Sequence, residues 1–250
     1  MDSRKIHEVV AIIDRSGSMS GKEDDTIGGI NSAFEELSND EDENTIIKVS
    51  VKLFDHEEKM LFRSIELKDV KPITRSQYTV RGQTALLDAI GNTLNYFMEK
   101  KLTNSSAYNA CTIYIATDGL ENTSKYYTAS QIKSMIKEAD ESFNIKILYM
   151  GANQDAILEA NKYGIAADQA INYSETSENV DAVYRAAASA ARRHASGNNV
   201  GFTLPERSAS QAPPTTYGIS PPSSQRSRSH NNRSPPRVSR QRTRVPAINM

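Results

Sequence analysis

Oxygen-bearing side chains follow the first apolar run of the chain at two-residue spacing. This run, VVAII at residues 9–13, is typical of a buried strand, and it is followed by Asp14, Ser16 and Ser18 in the segment DRSGSMSG. In a turn of this kind, alternate side chains can converge on one point above a sheet. One carboxylate and two hydroxyls form an all-oxygen ligand set, which suits Mg²⁺, Ca²⁺ or Mn²⁺ better than softer metals. The spacing therefore indicates a divalent-cation site.

Two further oxygen donors occupy comparable positions later in the chain. Asp118 follows the apolar run CTIYIAT, and Thr84 precedes a helical pattern, shortly after Gly82, which allows a tight turn. Two carboxylates would neutralise a divalent cation, whereas the hydroxyls are weak neutral ligands, so the ion would stay a strong Lewis acid. Because Mg²⁺ prefers about six ligands, one position can stay open or hold water.

The elements that must position these donors alternate between apolar strands and amphipathic helices. Strands are predicted at residues 9–13, 46–54, 60–67, 111–117, 145–150 and 170–173, and helical stripes at residues 27–37, 86–98, 132–139, 156–160 and 180–191. The second and third strands are too close in sequence for a crossover helix, so they should pair as an antiparallel hairpin. The remaining alternation indicates a mostly parallel sheet that is covered on both faces.

Ligands of such sheets bind beyond the carboxyl ends of the strands. Asp14 and Asp118 both stand at predicted strand ends of this kind. Thr128 and Gln131 form a predicted capping box for the helix that follows, and Asn153 is predicted to cap the next one. The predicted elements therefore bring the two acids to one edge of the sheet.

The composition of the chain changes at about residue 197. Eight of the nine prolines lie beyond this point. Of the 30 basic and 31 acidic residues, the part from Pro205 to Met250 holds eight arginines and one acid, so it carries +7 and the remainder carries −8. A segment so poor in aliphatic residues cannot offset its ordering entropy. We predict a folded domain at residues 5–196 and a disordered, basic, Pro/Ser/Arg-rich tail at residues 197–250.

The segments that carry the five donors resemble the three parts of the metal-ion-dependent adhesion site of von Willebrand factor A domains. The matching segments are DRSGSM, the threonine of RGQTALLDAI, and the TDG of IATDGLENTS. Two other stretches, DTIGGINSAFEEL and YMGANQDAILEANKYGIAAD, resemble a stand-alone bacterial and phage branch of that family. The first motif alone is a weak signal, but three segments in the right order and spacing are a strong one. The resemblance covers residues 5–195.

This resemblance implies a fold and a ligand set. The fold is α/β and Rossmann-like, with a doubly wound, mostly parallel six-stranded sheet in the order 3-2-1-4-5-6, one antiparallel edge strand and flanking helices. The implied metal ligands, some of them acting through water, are Asp14, Ser16, Ser18, Thr84 and Asp118. Mg²⁺ is the expected ion, with Mn²⁺ and Ca²⁺ as alternatives. In the family, the open position of the metal commonly accepts a Glu or Asp carboxylate from a protein partner. The family tolerates variation at the position of Arg15, so this residue is expected to be unremarkable, although its charge could favour an acidic ligand.

We therefore expect a cytoplasmic protein-binding module that is not an enzyme and does not enter a membrane. Three alternatives stay open. Each segment taken alone also fits a structural role, since Asp118 and Gly119 form a common turn pair and serines often cap helices. The arginines of the tail would bind phosphates weakly, as in an RNA-associated protein. A Mg²⁺-dependent phosphoester hydrolase is less favoured, because no second Asp stands two residues after Asp14 and no P-loop is present.

Other polar residues near these segments are predicted to have supporting or surface roles. Asp88, Glu121 and Asn122 are expected to support the site or its loops, not to bind metal directly. Tyr126 and Tyr127 form either a contact patch or a packed loop. The histidines, none of which has a partner at metal-ligand spacing, are interpreted as surface or incidental residues: His7, His56, His194 and His230.

Overall fold

A six-stranded sheet forms the centre of the protein in the computed structural model, which describes residues 4–39, 43–152 and 155–213. The strands are β1 (Lys5–Asp14), β2 (Thr45–Phe54), β3 (Glu58–Glu66), β4 (Ala110–Thr117), β5 (Ile145–Ala152) and β6 (Ala170–Tyr173). Their order is β3-β2-β1-β4-β5-β6, and every neighbouring pair is parallel except β2 and β3, which are antiparallel. The predicted fold class, strand order and hairpin are confirmed.

Helices cover both faces of this sheet. They are α1 (Glu23–Ser38), α2 (Leu86–Thr103), α3 (Ala129–Phe143), α4 (Ala156–Lys162), α5 (Ser177–Ala195) and α6 (Leu204–Ala209). Successive residues of β1 face opposite sides: Ala11 packs in the core beneath α1 and α5, whereas Ile12 packs beneath α2 and α3. Burial on both sides explains why residues 9–13 of this strand are all apolar. Across the described ranges, no helix is both long enough and apolar enough to cross a membrane.

One helix is capped by the predicted residues, and another is capped by a residue other than the predicted one. Thr128 and Gln131 form the predicted capping box of α3. The cap of α4 is Asp155, whose side chain accepts a hydrogen bond from the backbone N–H of Leu158 at 3.0 Å, whereas the predicted cap, Asn153, lies outside the described residues. Both Asp and Asn can accept this bond, so the sequence pattern did not distinguish two candidate caps so close together.

The folded domain extends beyond the boundary predicted at residue 196. The side chains of Val200 and Phe202 are buried in the core beneath α5, and Thr203 and Glu206 form a capping box that starts α6. The segment returns to the sheet, where the backbone N–H of Ser174 donates to a carbonyl of residue 210 at 3.0 Å. Residues 197–213 are therefore folded. Their Pro- and Ser-rich composition concealed two core side chains, and residues 214–250 of the predicted tail lie outside the described residues.

Two histidines interpreted as surface residues are buried. A hydrogen-bonded chain links His7 Nε2 to Thr112 Oγ1 at 3.0 Å and Thr112 Oγ1 to His194 Nδ1 at 2.8 Å. The other ring nitrogen of His194, Nε2, is 3.0 Å from Asn144 Oδ1. Burial lowers the pKa of His7 to about 3, with a further contribution from His194, and burial likewise lowers the pKa of His194 to about 4. Only the pairing of β1, β4 and α5 brings these residues together, so no local pattern shows it.

We expect acid to destabilise the domain through these histidines. Their pKa values in the folded state lie below the ordinary value of 6.5, so the unfolded chain binds protons first as the pH falls. Stability should therefore decrease as the pH falls from about 7 to about 5, as measured by urea unfolding. Replacing both residues, His7→Gln with His194→Gln, should flatten this dependence. An equally steep dependence in the double variant would contradict the assignment.

Two adjacent glycines of α1 provide a matched test of the helix packing. A Cβ atom at Gly29 would overlap the ring of Tyr184 in α5, whereas a Cβ atom at Gly28 would meet nothing within 4 Å. Gly29→Ala should lower the free energy of unfolding by about 1–3 kcal/mol, because the ring has to move. Gly28→Ala should leave stability unchanged or raise it by up to about 1 kcal/mol, because alanine favours the helix. Urea unfolding compares the two, and equal effects would contradict this packing.

Candidate metal centre

The two predicted acidic ligands lie at the same edge of the sheet. Asp14 is the last residue of β1, and Asp118 directly follows β4, which is the parallel neighbour of β1. The chain after β1 forms a short 3-10 turn at Gly17–Met19, and this turn brings the serine side chains back over the strand end. Strand order therefore places residues about a hundred positions apart beside one another.

Hydrogen bonds connect four of the five predicted ligands directly. The Ser18 hydroxyl donates to Asp118 Oδ1 at 2.5 Å, and the hydroxyl oxygens of Ser16 and Ser18 are 3.1 Å apart. The backbone N–H of Ser16 donates to Asp14 Oδ1 at 2.7 Å. The two segments of the site therefore contact each other through their side chains, as a shared ion would require.

The fifth predicted ligand, Thr84, joins this cluster beside Gly119. A Cβ atom built at Gly119 would lie 3.2 Å from Thr84 Oγ1, 3.3 Å from Ser18 Oγ and 3.7 Å from Asp14 Oδ2. Oxygens from two separate segments, residues 14–18 and residue 84, thus surround one point beside Asp118 that a side chain at position 119 would fill. We name Asp14, Ser16, Ser18, Thr84 and Asp118 the metal cluster, since the structure brings all five together.

The electrostatics of the metal cluster suit a cation. Burial raises the pKa of Asp14 to about 6, against the opposing effect of hydrogen bonds from Thr117 and Ser16, and the charge of Asp118 raises it further. A buried carboxylate of this kind is costly to ionise alone, and a nearby positive charge offsets the cost. One Asp14 oxygen accepts a hydrogen bond from Thr117 Oγ1 at 2.6 Å and the other accepts from the backbone N–H of Ser16 at 2.7 Å. A carboxylate oxygen has two lone pairs, so accepting a hydrogen bond does not prevent it from binding a metal.

Comparison with solved structures identifies the fold. A von Willebrand factor type A protein from Catenulispora acidiphila superposes with a TM-score of 0.53 at 16% identity, over 76% of this chain and 43% of that one. Proximal thread matrix protein 1 from the mussel byssus gives a TM-score of 0.52 at 12% identity, over 73% of this chain and 45% of that one. The domain has the von Willebrand factor A fold.

A further structure of the mussel protein is described as having a zinc-occupied MIDAS motif, the adhesion site named above. It superposes on the domain described here with a TM-score of 0.50 at 13% identity, over 75% of this chain and 47% of the other. The chain spans less than half the length of each of these three solved structures. No protein-family model and no curated protein matches the chain.

Within this domain, Asn122 and Glu121 hold the loop after β4 against the start of α2. The side-chain oxygen of Asn122 accepts a hydrogen bond from the backbone N–H of Thr84 at 3.0 Å, and the backbone N–H of Asn122 donates to the Thr84 carbonyl at 3.1 Å. Glu121 accepts from the backbone N–H groups of Leu87 and Ser124 at 3.0 and 2.7 Å. These residues therefore position Thr84 relative to Asp118, in the supporting role that the sequence predicted.

Asp88 stabilises the far end of the same loop. Its carboxylate accepts hydrogen bonds from three successive backbone N–H groups, those of Lys125, Tyr126 and Tyr127, at 2.8, 2.9 and 3.1 Å. The ring of Tyr127 lies against Gly91 of α2, whereas the side chain of Tyr126 is 76% exposed. The tyrosine pair thus has one packed member and one available for contact.

A second ionic cluster, which the sequence analysis missed, connects the remaining loop. Asp55 follows β2 and is buried, and its carboxylate pairs with Arg15 at 3.1 Å and with Arg81 at 2.9 Å. Arg15 is therefore paired within the protein. It is not available to attract an acidic partner, contrary to what its charge suggested. Asp55, like Asp14 and Asp118, directly follows an apolar strand, and that shared position is the signal that could have found it.

Asp55, His56 and Glu57 are close enough to be considered as a metal site in their own right. However, the positive charge of Arg81 contacts both Asp55 and Glu57, so much of the negative charge is already neutralised. Asp55 also forms a backbone contact with the other loop, because its carbonyl accepts a hydrogen bond from the N–H of Ala85 at 2.9 Å. This ionic cluster therefore holds the loop after β2 against the loop that carries Arg81 and Thr84.

Loss of the Asp88 carboxylate should loosen the loop that carries Asp118. Asp88→Asn removes the charge that strengthens three backbone hydrogen bonds, so we expect the free energy of unfolding to fall by about 1.5–3 kcal/mol. Amide hydrogen exchange at residues 125–127 should accelerate at the same time. Asp24→Asn is the matched control, because the Asp24 side chain is 92% exposed, and it should change stability by less than about 0.5 kcal/mol. Unchanged exchange at these residues in Asp88→Asn would contradict the role of Asp88.

Proposed function

We propose that this domain is a divalent-metal-dependent protein-binding module in which the metal cluster holds one ion and presents it to an acidic side chain of a partner protein. The observation that carries the proposal is the convergence of Asp118, Ser18 and Thr84, with Asp14 and Ser16, at one edge of the sheet. A set of two carboxylates and three hydroxyls selects hard cations, and we propose Mg²⁺, with Mn²⁺ and Ca²⁺ as alternatives.

The residues of the metal cluster have distinct roles in this proposal. Asp14 and Asp118 supply the negative charge that holds the cation, and the hydroxyls of Ser16, Ser18 and Thr84 complete the oxygen set. When bound, the ion supplies a Lewis acid that takes an anionic oxygen from outside. Because the hydroxyl ligands are neutral, they leave much of the positive charge of the ion unquenched. The partner's carboxylate would therefore be bound as a ligand and not transformed.

A protein is the partner that suits the surroundings of the site. Leu120 is 57% exposed and Tyr126 is 76% exposed, and both lie on the loop that begins with Asp118. Exposed apolar and aromatic side chains beside a polar anchor are typical of protein interfaces. We therefore propose that the partner inserts an Asp or Glu at the metal and packs apolar groups against these two side chains.

The structure of the mussel protein whose MIDAS motif is occupied by zinc supports metal binding at the corresponding position of this fold. The similarity is limited to 13% identity, so the ion and the partner of this chain are proposals that rest on its own residues. The cytoplasmic location and a weak nucleic-acid contact by the arginine-rich tail stay predictions. The tail arginines from Arg226 onward lie outside the described residues.

We propose that the site does not catalyse phosphoester hydrolysis. Both oxygens of Asp118 are engaged, one by Ser18 and the other by Lys22. Both oxygens of Asp14 also accept hydrogen bonds, from Ser16 and Thr117. In the proposed site both carboxylates also hold the cation, so neither would serve as a nucleophile or a general base. Hydrolysis of a generic phosphoester in Mg²⁺ that Asp14→Ala abolishes would overturn this part of the proposal.

A pull-down from native extract tests the binding function directly. Partner recovery should require Mg²⁺, should be lost in excess chelator, and should be lost in Ser16→Ala, because that variant removes one oxygen of the metal cluster. Ser20→Ala is the matched control, since Ser20 is an exposed serine four residues further along the same turn, and it should retain the partner.

The same variants can be examined without a partner. Titration calorimetry with Mn²⁺ should show that Ser16→Ala weakens cation binding by about tenfold or more, as expected when a directly coordinating group is lost. Ser20→Ala should bind as the unmodified protein does. A set of partners that is indifferent to chelator and to Ser16→Ala would contradict metal-mediated recognition, even if the ion itself binds.

A further inference from the structure

A lysine contacts the metal cluster directly. The ammonium group of Lys22 lies against Asp118 Oδ2, and it also lies against a carboxylate oxygen of Glu175. The Asp118 side chain is 3% exposed, whereas those of Lys22 and Glu175 are each 27% exposed. A partly buried positive charge thus bridges two carboxylates, of which one belongs to the metal cluster and the other does not.

The backbone holds both ends of this bridge in place. Lys22 immediately precedes α1, and its carbonyl accepts hydrogen bonds from the N–H and the hydroxyl of Thr26 at 2.9 and 2.8 Å. Glu175 lies between β6 and Thr176, which caps the start of α5. The backbone at both ends of the bridge therefore adjoins the start of a helix, and the side chains of Lys22 and Glu175 span the distance between them.

This arrangement has a consequence for any cation that uses Asp118. A divalent ion bound there would lie close to the ammonium group, and two positive charges in a partly buried site repel one another. The two carboxylates of the metal cluster balance the two charges of the ion, so Lys22 needs a separate counter-charge. Glu175 supplies that counter-charge at a distance that Lys22 already reaches.

We propose that Lys22 is a tethered cation that competes with the divalent ion for Asp118, and that Glu175 retains Lys22 when the ion takes Asp118. This inference rests on the proposed metal cluster and adds to it two residues that set its affinity. Lys22 weakens cation binding, and Glu175 limits that weakening. The site thus binds its ion less tightly than its five oxygens alone would allow.

The affinity for Mn²⁺, measured by titration calorimetry on the full chain, tests this role. Lys22→Met keeps the length of the side chain and removes its charge, so the dissociation constant should fall by about tenfold or more. Lys22→Arg keeps the positive charge that repels the ion, so its dissociation constant should stay within about threefold of that of the unmodified protein. Lys137→Met is the matched control for charge removal, because Lys137 is 74% exposed on α3, and it should leave the affinity unchanged.

The rise in unfolding temperature on addition of Mn²⁺ gives a second readout that a merely structural role would not change. In excess chelator, Lys22→Met should unfold at a lower temperature than the unmodified protein, because Asp118 and Glu175 lose their shared counter-charge. Saturating Mn²⁺ should then raise the unfolding temperature more in Lys22→Met than in the unmodified protein, since tighter binding to the folded state stabilises it more. Equal increases would show that Lys22 does not compete with the ion.

The outcomes separate this inference from the proposed function. If neither the unmodified protein nor Lys22→Met binds Mn²⁺, the metal cluster itself is wrong and the inference falls with it. If the unmodified protein binds and Lys22→Met binds equally or more weakly, the metal cluster stands and the competition is overturned. Tighter binding by Lys22→Met, with no such gain in Lys22→Arg or Lys137→Met, supports the inference.

Discussion

The confinement of negative charge at one edge of the sheet is the constraint on which the rest of the structure depends. Parallel pairing of β1 with β4 brings Asp14 and Asp118 together, and burial makes the ionised form of Asp14 unfavourable, which raises its pKa to about 6. The protein distributes the compensation over nearby groups, through hydrogen bonds from Thr117 and Ser18 and the positive charge of Lys22. A divalent cation, if bound as proposed, would supply the same compensation more completely.

Acidic residues near the ends of the strands and helices have two different roles in this domain. Those of the metal cluster direct oxygens to a common point, whereas Asp55, Asp88 and Glu121 accept backbone hydrogen bonds or pair with arginines that hold the loops. Charged acceptors make stronger hydrogen bonds to backbone N–H groups than neutral ones. The loops that carry Thr84 and Asp118 are thus held by ionic contacts, and this accounts for the density of acids around the site.

Local patterns predicted most of the fold but not its long-range pairings. Apolar periodicity located the strands and helices, and the gap before β3 indicated the hairpin. Position at strand ends identified Asp14 and Asp118. In contrast, the hydrogen bonds that link His7 to His194 and the ion pair between Lys22 and Glu175 join residues far apart in sequence. These contacts can be predicted only once the strand order is known. Phe202 was missed because two apolar side chains in a polar segment show no periodicity.

The measurement that tests the central claim most directly is an anomalous difference map from crystals grown with Mn²⁺. The account predicts one peak within about 2.0–2.6 Å of oxygens of the metal cluster, with Asp14, Ser16 and Ser18 on one side and Asp118 or Thr84 on the other. A peak at Asp55, His56 and Glu57 with none at the metal cluster would contradict it. An absence of any peak at concentrations that saturate binding in solution would contradict it as well.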